Sequence, residues 1–266
     1  MDPVGSGGQV EKTAMANRFH WKPFWSQTRE DLLGLIYPRV CQLCLEEEAR
    51  PEDGYVGSAC LRGLKYLRPP FCHRCGLPFP GDITHAFECA NCQEVDLSFE
   101  SVRSAVLAQG VAREILHRFK YGQARWFETL LGRLLVDAAR PALLGKGWDF
   151  LVPVPLHPVK EREREFNQAE RLARHLSQSV GIPVRSDLVL RKSSTPTQTQ
   201  LTRKQRAENV RKAFQRIEGR DISGAAVVVV DDVLTTGATT DAVARQLRRL
   251  GASRVCVWTV ARATLD

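Results

Sequence analysis

The sequence predicts an α/β protein in which a parallel sheet flanked by helices follows a small cysteine-rich domain. From residue 99 onward, short apolar runs alternate with stretches of helical periodicity, which is the pattern of parallel strands joined by helices. Seven of the eight cysteines fall between Cys41 and Cys92, in a stretch rich in glycine and proline without a long periodic element. The 266 residues are enough for two unequal domains of this kind.

The individual elements are predicted from the spacing of apolar residues. A short helix is expected over residues 29–37, because Pro38 ends an amphipathic stretch there. Residues 227–230 are four consecutive valines, so this strand is expected to be buried on both faces of the sheet. The second half predicts strands over residues 102–107, 150–154, 227–230 and 254–260, and helices over 111–120, 126–139, 168–180 and up to Leu250.

Three regions follow from this pattern. Residues 1–28 mix Gly, Pro, charges and aromatics and lack the apolar core of a secretion signal. They are expected to be a disordered tail or a remnant of an expression vector. Residues 29–98 form the cysteine-rich domain and residues 99–266 the α/β domain. The longest aliphatic run, residues 225–230, is far shorter than the roughly 20 residues that span a bilayer. We therefore expect no membrane span and a cytoplasmic protein.

Positive charge is concentrated in one part of the chain. The net charge is +8, and residues 157–220 hold 15 Lys/Arg against 7 Asp/Glu, a surplus of 8. We call residues 157–220 the basic belt. Such a belt fits an anionic ligand such as a sugar phosphate, a pyrophosphate or a nucleic-acid strand. A solvated surface with a basic bias would give the same composition.

Two CxxC pairs predict a metal site. Cys72 and Cys75 form one pair, Cys89 and Cys92 the other, with thirteen residues between them. This spacing lets four thiolates close tetrahedrally on one structural Zn²⁺. Two disulfides are the alternative, but disulfides seldom persist in a reducing compartment.

A second cysteine set is incomplete. Gly63 occupies the position where a second CxxC pair would end. Either a histidine such as His73 or His20 supplies the last ligand, or the site is degenerate and loses its metal easily. The remaining cysteine, Cys256, lies in an apolar strand and is expected to be a core thiol. The three cysteines of the second set are Cys41, Cys44 and Cys60.

The residues that follow the valine strand predict a ligand site. Asp231 and Asp232 come directly after a buried strand, where two carboxylates are costly unless they meet hydroxyls, a cation or water. Vicinal ribose hydroxyls would satisfy both carboxylates. Small residues then begin a helix, and their backbone N–H groups favour a phosphate. A capping threonine would explain these small residues alone, but not the acidic pair. The small residues are Thr235, Thr236, Gly237, Ala238 and Thr239.

Residues 227–239 resemble the signature of type I phosphoribosyltransferases, which bind phosphoribosyl pyrophosphate. Residues 152–156 (VPVPL), with Arg162, Arg164 and residues 166–168 (FNQ), are similar to the VPVPL and RGFNQ elements of the ComF family, named for its link to DNA uptake in competent bacteria. The spacing of residues 197–214 also fits that family. The resemblance covers residues 32 to 266 and implies a zinc-ribbon domain followed by a type I phosphoribosyltransferase-like domain. Two positions depart from the family pattern, since Glu165 replaces a glycine and Gly63 a cysteine.

The resemblance also implies roles for individual residues. Asp231 and Asp232 would orient the ribose and stabilise charge on its ring, while the 235–239 turn holds the 5′-phosphate. Lys120 would approach the pyrophosphate together with Arg164, and Mg²⁺ would accompany phosphoribosyl pyrophosphate. A lysine at a plain helix C-terminus would look the same as Lys120.

The expected function has two versions. The first is a phosphoribosyltransferase-type protein, a glycosyltransferase that moves a pentosyl group, linked to DNA uptake; whether it catalyses transfer stays open, because neither a general base nor an acceptor-binding hood is visible. The second is a non-catalytic adaptor that binds nucleotides, single-stranded DNA or competence proteins, which the basic belt also fits.

Overall fold

The computed structural model describes residues 39–79, 81, 87–93, 96–193, 210 and 212–264. The predicted tail, the helix predicted over residues 29–37 and most of residues 197–214 lie outside these ranges. The chain from Arg39 onward forms one compact unit. The boundary between residues 98 and 99 therefore stays a prediction. In the part of the chain that is described, no helix is long and apolar enough to cross a membrane.

Four parallel strands form the central sheet, and the α/β class predicted from the sequence is confirmed. The strands are β1 (Ser101–Leu107), β2 (Phe150–Pro153), β5 (Ala226–Leu234) and β6 (Arg254–Arg262). The order across the sheet is β1, β6, β5, β2, so β5 lies inside the sheet with a neighbour on each side. The four valines of β5 are fully buried, as a strand covered on both faces requires.

Helices cover both faces of the sheet. On one face, three helices pack against alternate residues of the central strands, among them Val228, Val230 and Trp258. On the other face, one helix and a two-stranded antiparallel sheet pack against Val227, Val229 and their neighbours. The first group is α3 (Gly110–Tyr121), α4 (Phe127–Leu143) and α6 (Gln168–Val180); the second is α7 (Ala238–Arg249) with β3 (Val189–Arg191) and β4 (Phe214–Arg216).

The cysteine-rich segment lies along the outer edge of β1. Leu67 N donates to Ala105 O at 2.9 Å and Leu107 N donates to Lys65 O at 2.8 Å, which adds a short antiparallel pairing. These bonds occupy an edge that would otherwise present unpaired backbone groups. The segment contains a 3₁₀ turn (Pro51–Asp53), α1 (Ser58–Arg62) and α2 (Ala90–Gln93).

Two of the differences from the prediction concern the ends of β5 and β2. First, β5 does not end at Val230 but continues to Leu234, because Asp231 and Val233 keep their register with Thr259 and Ala261 of β6. The acidic pair therefore belongs to the end of a strand and not to a loop. Second, a short helix, α5 (Pro158–Arg164), follows β2. Its sequence is almost entirely polar, so it has no apolar periodicity that could have predicted it.

Candidate functional site

A cavity of about 310 Å³ opens at the carboxyl ends of β2 and β5. This is the edge of a parallel sheet at which α/β proteins bind ligands. Thr236, Gly237 and Ala238 lie on the turn between two of its lining residues. Six residues predicted from the sequence line this cavity, namely Lys120, Arg164, Asp231, Asp232, Thr235 and Thr239.

The acidic pair meets a partly buried cation. Lys120 Nζ lies 2.9 Å from Asp232 Oδ1, and the two side chains are 22% and 8% exposed. Asp231 Oδ1 accepts a hydrogen bond from Asp232 N at 2.9 Å. Lys120 thus lies in the acidic cluster as well as at the end of α3, so a plain helix C-terminus does not describe its position.

The two carboxyl groups of the acidic pair have different electrostatic environments. Burial, and then the negative charge of Asp232, raise the pKa of Asp231 to about 7. Burial alone would lower the pKa of Lys120, but the charges of Asp232 and Asp231 outweigh burial and raise it. Lys120 is therefore charged at neutral pH and pairs with Asp232. Asp231 is left as a carboxyl group whose charge depends on pH near neutrality.

The turn after β5 is shaped for a small anion. Gly237 adopts φ 81°, a left-handed conformation that favours glycine, and it precedes the first residue of α7. Gly237 has no side chain that could cap α7. Among the N–H groups of the first turn, that of Ala238 donates to Thr236 Oγ1 at 3.4 Å. The positive end of the helix dipole and these amides favour a phosphate beside Thr235 and Thr239.

A buried arginine holds the start of this turn. Arg262, at the end of β6, is 3% exposed. Its Nη1 donates to the carbonyl oxygens of Leu234, Thr235 and Ala263. These bonds fix the backbone where β5 becomes the turn. Sequence reasoning missed Arg262, because the contact joins residues 27 and 28 positions apart.

The opposite wall of the cavity comes from the start of α6. Asn167 caps that helix, its Oδ1 accepting from Ala169 N at 3.0 Å, while its Nδ2 donates to Val154 O at 3.1 Å. Arg164 Nη1 donates to Gln168 Oε1 at 3.1 Å, which identifies the oxygen of that amide. The Gln168 side chain is 2% exposed, and its Nε2 has no hydrogen-bond partner among the residues that the structure describes. A buried donor of this kind on a cavity wall is available to an acceptor that enters the cavity.

Four of the predicted zinc ligands lie together. The Sγ atoms of Cys72, Cys75, Cys89 and Cys92 all lie within 4.8 Å of one another, and those of Cys75 and Cys89 are 3.6 Å apart. Sulfurs bound tetrahedrally at a Zn–S distance of about 2.3 Å would be separated by about 3.8 Å. All eight cysteines are free thiols, so the disulfide alternative is wrong for this structure. The cluster is consistent with structural zinc.

The second cysteine set has a fourth member that the sequence did not reveal. A carboxylate oxygen of Glu47 joins the sulfurs of Cys41, Cys44 and Cys60, all within 4.8 Å of one another. The suggestion of His73 as the fourth ligand is wrong, because its ring contacts Phe87 O at 2.8 Å and Glu88 Oε1 at 3.2 Å. The other suggested histidine, His20, lies outside the described residues. Cys256 is buried in the core, as expected.

Both parts of the chain are similar to known protein families. Residues 32–94 match the double zinc ribbon domain and residues 167–264 the phosphoribosyl transferase domain. Competence protein F of Haemophilus influenzae is 31% identical over 77% of this chain and 90% of its own length. The chain belongs to the ComF family. DNA utilization protein YhgH of Escherichia coli is 31% identical over 86% of this chain and 99% of its own length. Competence protein ComFC of Bacillus subtilis is 26% identical over 86% and 98%.

Among solved structures, the purine phosphoribosyltransferase of Pyrococcus horikoshii is 18% identical, with a TM-score of 0.32 over 50% of this chain and 82% of that chain. The fold assignment of this ComF protein rests on the domain match and on its own parallel sheet.

The first departure from the ComF pattern has a structural account. Glu165 adopts φ 65° at the end of α5, a left-handed conformation that suits the glycine usual at this position. Its carboxylate pairs with Arg125 at 2.7 Å, and Glu165 does not line the cavity. The negative charge is therefore directed to another cation and not into the candidate anion site.

Two further cations of this ComF protein line the cavity. Lys160 of α5 and Arg191 of β3 join Lys120 and Arg164 in its wall. Neither was singled out from the sequence, because both belong to elements that were not predicted. The composition of the basic belt was the available signal, since it contains both residues.

Proposed function

We propose that the chain binds phosphoribosyl pyrophosphate, or a related ribose phosphate, in the cavity at the carboxyl ends of β2 and β5. The observation that carries this proposal is the composition of that one cavity, which combines an acidic pair, a helix start whose N-cap residue is glycine, and several cations. Each of the three suits a different part of a phosphoribosyl ligand. The match of residues 167–264 to the phosphoribosyl transferase domain supports the same conclusion.

Each ligand group has a proposed partner. Asp231 and Asp232 accept hydrogen bonds from the vicinal ribose hydroxyls, and the amides and hydroxyls of residues 235–239 bind the 5′-phosphate. Lys120 and Arg164 face the pyrophosphate. Mg²⁺ would neutralise part of the pyrophosphate charge when the ligand is bound.

The unpaired amide of Gln168 supports this arrangement. Leaving a buried donor unsatisfied costs about 1–3 kcal/mol, and a hydrogen bond to a charged acceptor recovers more than a neutral one does. Arg164 orients the amide through Oε1, so that Nε2 is the atom without a partner among the described residues. We propose that Nε2 donates to a phosphate oxygen of the ligand.

The reaction that fits this site is phosphoribosyl transfer. A nucleophile attacks C1 of the ribose, the bond from C1 to the pyrophosphate oxygen breaks, and pyrophosphate leaves with the bonding electrons. Lys120 and Arg164 stabilise the charge of the leaving pyrophosphate, while the carboxylates stabilise positive charge on the ribose ring.

A second candidate is a non-catalytic adaptor that binds nucleotides or single-stranded DNA. It is favoured by the printed names of the relatives, which refer to competence and DNA utilization, and by the cations around the cavity. In either case we propose a role in DNA uptake or DNA use in the cytoplasm, where a reducing environment keeps the cysteines available as zinc ligands.

Calorimetric titration with parts of the ligand tests the assignment of groups. Arg164→Met is expected to weaken phosphoribosyl pyrophosphate and inorganic pyrophosphate but not ribose 5-phosphate, because only the first two carry a pyrophosphate. Thr239→Val is expected to weaken phosphoribosyl pyrophosphate and ribose 5-phosphate but not pyrophosphate. Arg174→Met is the matched control, since Arg174 is exposed on α6 and pairs with Glu170.

The same titrations, extended to single-stranded DNA, distinguish the transferase from the non-catalytic adaptor. If neither phosphoribosyl pyrophosphate nor its parts bind, while single-stranded DNA binds with a steep salt dependence, the adaptor replaces the transferase. If Arg164→Met weakens all three small ligands equally, the assignment of separate phosphate and pyrophosphate positions is wrong.

A further inference from the structure

The loop between Cys44 and Cys60 carries a carboxylate that completes a tetrahedral ligand set. The Sγ atoms of Cys41 and Cys60 are 3.7 Å apart, and Cys44 Sγ lies 3.9 Å from Glu47 Oε1. Around zinc, two thiolates would be separated by about 3.8 Å, and a thiolate and a carboxylate oxygen by about 3.6 Å. Both distances therefore fit the edges of one coordination tetrahedron.

The glycine at position 57 makes room for this carboxylate. The backbone of Gly57 has φ −74° and ψ 163°, which any residue can adopt. A Cβ atom at this position would lie 2.1 Å from Glu47 Cδ and 2.4 Å from Glu47 Oε1. A side chain at position 57 would therefore displace the Glu47 carboxylate, whereas glycine leaves that space to it.

The start of α1 orients the same carboxylate. Ala59 N donates to both Glu47 oxygens at 3.1 and 3.0 Å, Cys60 N donates to Oε1 at 3.2 Å, and Ser58 Oγ donates to Oε2 at 3.3 Å. Hydrogen bonds of this kind orient metal-binding carboxylates and are part of their sites. They hold Oε1 on the side of the three sulfurs.

We propose that Glu47 is the fourth ligand of the first zinc, which is then bound by three thiolates and one carboxylate. Gly63 no longer needs to be a cysteine, because the last ligand comes from before α1 instead of after it. The summed ligand charge is the same as for four thiolates. Oxygen is a harder ligand than sulfur, so the first site is expected to release zinc before the site of Cys72, Cys75, Cys89 and Cys92. This proposal does not depend on the ribose phosphate site.

Cadmium-113 NMR of the full chain loaded with Cd²⁺ tests the proposal, because the ¹¹³Cd shift reports the number of thiolates bound. Two resonances are expected, one at the position of a four-thiolate site and one upfield of it, where an oxygen replaces a thiolate. Glu47→Gln and Gly57→Ala are each expected to shift or abolish the upfield resonance and to leave the other unchanged. Glu46→Gln is the matched control, since Glu46 is exposed beside Glu47.

The four-thiolate resonance serves as an internal check that each variant is folded. Bound zinc gives a second measurement, in which a mild chelator should leave two ions on the wild type and one on the Glu47→Gln variant. The proposal is overturned if the wild type shows one resonance, or if Glu47→Gln leaves both resonances and both zinc ions in place.

Discussion

Replacing Lys120 by methionine is expected to lower the free energy of unfolding by about 3 kcal/mol, mainly by leaving Asp232 without its cation. The Nζ–Oδ1 distance is 2.9 Å, with the side chains 22% and 8% exposed. At an effective dielectric constant of about 20, the direct attraction at this distance is about 6 kcal/mol. Desolvation offsets part of that attraction, and the partial exposure of Lys120 favours the lower end of the roughly 3–5 kcal/mol measured when one partner of a buried pair is removed.

A second substitution isolates this cause. Adding Asp232→Asn to Lys120→Met removes the uncompensated charge, so the double variant is expected to recover about half of the loss, since paired residues are not additive. Urea unfolding of the zinc-loaded protein, followed by tryptophan fluorescence, measures both effects, because Trp258 is buried in β6. Lys146→Met is the control at an exposed lysine. A Lys120→Met variant as stable as the control, or a double variant with strictly additive losses, would show that Lys120 does not stabilise the fold by compensating the charge of Asp232.

Three further predictions concern pH, ligand contact and metal. Because the pKa of Asp231 is raised to about 7, the folded protein retains a proton that the unfolded chain releases near pH 4. The free energy of unfolding should therefore fall between pH 4 and 7 more steeply in the wild type than in Asp231→Asn. Equal slopes of the two proteins in urea titrations would contradict this. Gln168→Glu keeps the acceptor for Arg164 but replaces the free donor, and should weaken phosphoribosyl pyrophosphate binding at least about 10-fold by calorimetry; unchanged affinity would exclude the contact. Zinc chelation should weaken phosphoribosyl pyrophosphate binding, and zinc addition should restore it. The reason is that the cysteine-rich segment is joined to the helices beside the cavity, since Arg118 of α3 donates to Gln42 O and Asp241 of α7 accepts from Ser98 N. A zinc-free protein with full affinity would contradict this coupling.

Local sequence signals were sufficient where neighbouring residues decide the structure. Helix α6 has the predicted bounds of residues 168–180, because Asn167 caps its start and Gly181, at φ 73°, ends it. The four valines predicted the buried central strand for a similar reason, since a run without polar residues fits only a position covered on both faces.

Contacts between distant residues could not be predicted in the same way. Glu47 is one of three consecutive glutamates, and only folding brings it beside Cys60, thirteen positions later. The pairing of Lys120 with Asp232 joins α3 to β5, and nothing in either segment alone distinguishes it from a solvated lysine. Helix α5 was missed because a polar helix has no apolar stripe.

We propose that the acidic pair and the 235–239 turn bind a phosphoribosyl ligand. This is tested by calorimetric titration of the zinc-loaded protein with phosphoribosyl pyrophosphate and Mg²⁺, beside the Asp231→Ala/Asp232→Ala variant. We predict saturable binding to the wild type that is lost in a variant whose circular dichroism spectrum is unchanged. Absence of binding to the wild type, or equal binding to both proteins, would contradict the claim.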